Sequence, residues 1–122
     1  MARIMVLDDD EPTLAAMQAV LESAGHTVFV DAGGQGVAQR VMLKRPDILV
    51  TDVFMPEEDG IAVINAVRDA GDTFPIIAIS GVDVKGVDYL RIAQELGANT
   101  VLHKPIKAGE FLKVVERLLS SQ

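Results

Sequence analysis

Cysteine is absent from the chain, which removes disulfides, thiol nucleophiles and cysteine-based zinc sites and fits a reducing compartment. Positive charge is also scarce. Eleven Lys and Arg face eighteen Asp and Glu, for a net charge of −7. A nucleic-acid backbone is then an unsuitable direct partner, because binding it needs a clustered Lys/Arg surface; the adjacent basic pair Lys44-Arg45 reads as a solvated helix end. Long apolar runs are missing as well. Residues 4–7 are too few for a signal-peptide core and lead straight into three aspartates. No segment approaches the length that crosses a bilayer. The expectation is a soluble, cytoplasmic protein with no membrane partner.

What remains is ordinary globular material. The 122 residues are 49% hydrophobic and 24% charged, enough for one domain over 1–122 that folds on a single core without staples. Short runs rich in Val, Ile and Leu recur at 3–7, 27–30, 48–51, 75–79 and 100–102. Runs that are apolar on both faces predict parallel strands covered on both sides. Segments of helical length separate them, at 12–24, 35–44, 59–70, 86–96 and 107–120. Pro12 follows two acids, as a helix start prefers, and Gly25, Gly71 and Gly97 stand where left-handed caps end helices. Phe111, Leu112, Val115, Leu118 and Leu119 keep helical spacing. Five βα units follow, an α/β fold around a parallel sheet.

In an open parallel sheet, ligands bind beyond the carboxyl ends of the strands. Asp8, Asp9 and Asp10 follow the first run, Asp52 the third, Ser80-Gly81 the fourth and His103-Lys104-Pro105 the fifth. Carboxylates crowded to about 5 Å repel by roughly 3 kcal/mol per pair at an effective dielectric near 20. A cation or raised pKa values must relieve them, and oxygen ligands without histidine favour Mg²⁺ over zinc. Asp10 and Glu11 fit better as helix N-terminal acids.

At these residues the chain resembles a response-regulator receiver domain, the phospho-accepting module of two-component signalling, similar to chemotaxis regulators. The likeness runs over essentially the whole length. It rests on IMVLDD at the first strand end, DILVTD and MPEEDG around the third, AISG at the fourth and HKP at the fifth. The resemblance implies a doubly wound, flavodoxin-like (βα)5 sheet in strand order 2-1-3-4-5. It implies Asp52 as the nucleophile that takes a phosphoryl group from a phosphohistidine. Asp9 would ligate Mg²⁺ directly, Asp8 through water, Asp52 and the Phe54 carbonyl completing the protein oxygens. Lys104 and Ser80 would neutralise and hydrogen-bond phosphoryl oxygens, and the Lys104-Pro105 bond would be cis. Such chemistry asks for little beyond positioning and charge neutralisation.

Several features carry plainer readings. Gly33–Gly36 lacks the glycine pattern of a dinucleotide loop and reads as a turn. His26 is expected in a turn, solvated, and His103 should point away from the pocket by strand alternation. Met55-Pro56 shapes the loop after Asp52, and Asp59-Gly60 turns it into the third helix. Three positions depart from familiar receivers. Val101 stands where many carry an aromatic three residues before the lysine, so an aromatic flip there cannot be the readout. Phe54 and Val82, two residues past Asp52 and Ser80, are apolar and cannot orient an attacking water, which predicts slow self-dephosphorylation.

On the surface, Ala15, Gln18, Ala19 and Glu22 of the first helix form a small-residue face of the kind that docks a histidine kinase or phosphotransfer protein. Val87, Tyr89, Leu90, Ile92 and Leu96 of the fourth helix suit either self-dimerisation or an output partner, or a wider contact with the core. With Ser120-Ser121-Gln122 closing the chain, the expectation is a receiver without an output domain and not an enzyme beyond its own phosphoryl chemistry. Alternatives are a receiver fragment of a larger regulator or hybrid kinase, a non-phosphorylated interaction domain, or a small aspartyl-phosphate hydrolase of the haloacid-dehalogenase kind. Against the last, residues 8–12 lack the threonine of a DxDxT string.

Overall fold

The computed structural model describes residues 1–55, 57–81 and 88–121; Pro56, Val82, Val87, the expected fourth-helix start at 86 and Gln122 lie outside the described residues. Strands β1 (Arg3–Leu7), β2 (Thr27–Asp31), β3 (Ile48–Asp52), β4 (Ile76–Ser80) and β5 (Thr100–His103) alternate with helices α1 (Glu11–Ser23), α2 (Val37–Lys44), α3 (Gly60–Asp69), α4 (Tyr89–Leu96) and α5 (Ala108–Ser120). All strand pairs are parallel, in the order β2-β1-β3-β4-β5. This is the doubly wound order that the resemblance implied.

Strand alternation divides the core into two layers. Ile4, Val6, Ile48, Val50, Ile77 and Ile79 face α1 and α5, where they meet Leu14, Met17, Leu21, Phe111, Val115 and Leu118. Met5, Leu7, Leu49, Ile76 and Ala78 face the other way, against Val37, Val41, Val63, Val67, Leu90 and Ala93 of α2, α3 and α4. Every residue of β3 and β4 is buried. Coverage on both sides, expected of all five strands, fails at the edges: β2 and β5 are largely half-exposed, and Val30 is 41% exposed. An outer strand has a neighbour on one side only, and its apolar composition does not reveal that position.

Helix ends fall near the expected points, with reasons visible in the backbone. Asp10 caps α1, accepting from the Thr13 amide at 3.1 Å, and Asp59 caps α3, accepting from the Ala62 amide at 2.8 Å. Helix α2 starts later than expected because Gly36 takes a left-handed conformation (φ 81°) at its N-cap. Its open first turn is served from elsewhere, Glu58 accepting from the Ala38 amide at 2.7 Å, while just before the helix Glu57 accepts from the Gln35 amide at 3.1 Å.

His26 corrects the expectation of a solvated turn residue. It is 8% exposed, receives the Ala2 amide on Nδ1 at 3.1 Å and donates from Nε2 to Glu116 at 2.9 Å. The imidazole joins the start of β1, the turn before β2 and α5. On α4, Leu90 and Ala93 are buried, while Tyr89 and Leu96 pack against the core. Ile92, at 37%, is the exposed large apolar residue among the helix's described side chains. The wider core contact therefore accounts for most of that helix's apolar character.

Candidate functional site

The strand register brings the polar termini level. Leu7 pairs with Thr51, Asp52 with Ile79 and Ser80 with His103, so Asp8, Asp52, Ser80 and Lys104 emerge along one edge of the sheet. Asp52 and Ser80 are the last residues of their strands and are buried. Asp8 is fully buried, whereas Asp9 is exposed. Asp10 faces its own helix, as expected of an N-terminal acid. Asp31 also ends a strand here, but Arg40 holds it at 2.7 and 3.1 Å, which keeps its carboxyl below the ordinary range despite the opposing effect of burial.

Lys104 reaches both buried acids. Its Nζ donates to Asp52 Oδ2 at 3.1 Å and lies 2.9 Å from Asp8 Oδ2. The second contact is an ion pair without good hydrogen-bond geometry, so Asp8 Oδ2 lacks a well-formed hydrogen bond. The Lys104–Pro105 peptide is cis, and the Lys104 amide donates to the Ser80 carbonyl at 2.9 Å. His103 is exposed.

Two glycines make room for this arrangement. A Cβ on Gly60 would lie 2.0 Å from the Asp52 carbonyl oxygen, so α3 can start against the end of β3 only without a side chain. A Cβ on Gly81 would meet the Lys104 stem at 3.0–3.1 Å. Sequence reasoning assigned Gly60 only a turn and Gly81 no role; a motif shows that glycine recurs, not which backbone it clears. The Thr51 hydroxyl, donating to the Asp52 carbonyl at 2.9 Å, was also missed, because its partner is a backbone atom.

Burial pushes the Asp52 carboxyl up, and the neighbouring Asp8 charge adds to that, while the Lys104 ammonium and the Phe54 amide, donating at 3.2 Å, pull it down; the net shift is upward. Burial disfavours the Lys104 ammonium, but its contacts with Asp8 and Asp52 outweigh burial and raise its pKa.

Asp8, Asp9 and Asp52 each place a carboxylate oxygen within 4.8 Å of the others. An all-oxygen set of carboxylate donors suits Mg²⁺. A groove of about 990 Å³ opens from Asp9, Asp52, Phe54 and Lys104 and runs between α1 and α5. Its α1 wall is Pro12, Thr13, Ala16, Met17 and Val20. The stripe Ala15, Gln18, Ala19 and Glu22, expected beside the pocket, lies one helical stripe away.

The chain has relatives in sequence and in fold. A sequence model of the family described as "Response regulator receiver domain" matches residues 4–116. The alkaline phosphatase synthesis transcriptional regulatory protein PhoP of Bacillus subtilis is 31% identical over 96% of this chain and 48% of its own length. The response regulator MprA of Mycobacterium ulcerans is 33% identical over 96% of this chain and 50% of its own. The chain thus spans about half the length of these curated relatives. Among solved structures, a putative response regulator from Chloroflexus aurantiacus superposes with a TM-score of 0.85 at 30% identity, covering 98% of each chain. The Francisella response regulator 1452 receiver domain shares the fold with a TM-score of 0.88 at 23% identity, over 99% of this chain and 98% of that one. Receiver domains are signalling domains rather than enzymes in their own right. By sequence match over most of its length, and with the sheet order and strand-end acids to go with it, this chain belongs to the response regulator receiver domain family.

Proposed function

We propose that the chain is a phospho-accepting switch of a two-component or phosphorelay system, with Asp52 as acceptor and Mg²⁺ as cofactor. The observation that carries this reading is the meeting of Asp8, Asp9 and Asp52 with the Lys104 ammonium, 3.1 Å from the Asp52 carboxylate, at the carboxyl edge of the sheet. Asp8, Asp9, Asp52 and the Phe54 carbonyl would hold the ion. When bound, Mg²⁺ supplies charge neutralisation between the acceptor carboxylate and the phosphoryl oxygens.

An Asp52 oxygen forms a bond to phosphorus while the P–N bond of a phosphohistidine breaks and the imidazole nitrogen keeps the electron pair. Lys104 leaves its ion pair with the Asp52 oxygen for a phosphoryl oxygen, and the Ser80 hydroxyl donates to another. Phe54, apolar beside Asp52, lengthens the life of the acyl phosphate. The donor is a histidine kinase or phosphotransfer protein, with the groove between α1 and α5 as its seat, and the switch acts through protein contacts in the cytoplasm. An output protein or a second copy would meet it at α4. No helix among the described residues is long and apolar enough to cross a membrane.

Incubation with acetyl phosphate and Mg²⁺, followed by intact mass, tests the reading. One added phosphoryl group is expected in the wild type and none in Asp52→Asn. Continuous turnover of unrelated phosphoesters would instead favour the hydrolase.

A further inference from the structure

Phe54 is tied to the acceptor by its own amide, which donates to Asp52 Oδ1 at 3.2 Å. Phe54 is among the residues that line the groove, with Asp52, Gly81 and Lys104. Its ring meets Tyr89, the first residue of α4, with centroids 4.6 Å apart and planes at 71°. Both rings pack against the core layer under α2, α3 and α4. Position 101 on β5 is a valine, so that strand offers no aromatic side chain to report on the site. The described contact between the acceptor loop and the first turn of α4 is thus a pair of rings.

We propose that Tyr89 is a positioning residue for the acceptor site: it holds the Phe54 ring beside Asp52, so that the lifetime of the acyl phosphate and the seating of α4 depend on one aromatic contact. The proposal rests on Asp52 being the phospho-acceptor. Hydrolysis requires water to attack phosphorus as the P–O bond to Asp52 breaks, releasing inorganic phosphate and restoring the carboxylate. A ring fixed at the groove wall excludes water from one approach; a ring released from Tyr89 uncovers it. The energy of an edge-to-face pair corresponds to a change of about two- to tenfold in that rate. Phosphorylation that shifts the Phe54 amide must then alter the Tyr89 environment, and by linkage the affinity of a partner for α4 changes with phosphorylation.

Tyr89 is the chain's single tyrosine and there is no tryptophan, so tyrosine emission reads this one ring. With the whole chain, Mg²⁺ and acetyl phosphate, phosphorylation counted by mass should change the emission in the wild type and not in Asp52→Asn. Phe54→Leu should abolish the change. Tyr89→Leu and Tyr89→Met should each hasten phosphoryl loss about two- to tenfold, and Tyr89→Phe should restore the slow rate. Neither aliphatic change should add to Phe54→Leu. Thermal unfolding of each variant separates this from loss of fold, with Tyr89→Met as the volume-preserving check. Normal phosphoryl uptake with a wild-type lifetime in folded Tyr89→Leu or Tyr89→Met, or additive effects of the two positions, would overturn the proposal alone. Absence of uptake by the wild type would overturn the phospho-acceptor reading, and this inference with it.

Discussion

Lys104 holds together two carboxylates that would otherwise share a buried space uncompensated, since the Asp8 and Asp52 side chains are 0% and 8% exposed. Lys104→Met keeps the aliphatic stem and removes the charge. Urea unfolding without divalent ions should show a loss of about 3 kcal/mol, the lower end of what breaking a buried pair costs; unchanged stability would mean that the acids are not repelling. Asp52 has the opposite sign. Its folded pKa is raised, by burial first and by Asp8 second. The folded state therefore holds that proton more tightly than the unfolded chain. Asp52's favourable contribution is present below the ordinary carboxylate pKa and is lost as pH rises through the folded value. Without Mg²⁺, Asp52→Asn should unfold at a higher temperature than the wild type at neutral pH. The gap should close as pH falls below about 4. A gap independent of pH would contradict this assignment.

The helices depend on partners remote in sequence, which is where sequence reasoning runs short. Asp10 and Asp59 were legible as helix starts because an N-cap acts over three residues. Glu58 was not, because the Ala38 amide it accepts from lies 20 residues earlier. Gly36 gives α2 no side-chain cap, so Glu58→Ala should cost about 1 kcal/mol and speed hydrogen exchange at Ala38. Equal exchange in the variant would show that α2 does not need the loop after Asp52. His26 was illegible for the same reason, its partners lying 24 and 90 residues away.

Across the sheet, the two-layer core and the level strand ends were readable because parallel βα units leave a repeating apolar pattern. The motifs at the strand ends point to Asp8, Asp9, Asp52, Ser80 and Lys104 from sequence alone. Edge exposure at β2 and β5 was not readable, since strand composition carries no sheet position. Neither was the wall of the groove along α1, which depends on how α1 and α5 lean on each other.

A Mg²⁺ titration followed by calorimetry tests most directly whether acids from separate strands share one divalent ion. It should show one ion per chain, with affinity reduced at least tenfold, about 1.4 kcal/mol, in Asp9→Asn and in Asp52→Asn. Asp10→Asn, which keeps a good helix cap, should bind nearly as the wild type does. Equal affinity in wild type and Asp52→Asn would contradict a shared site.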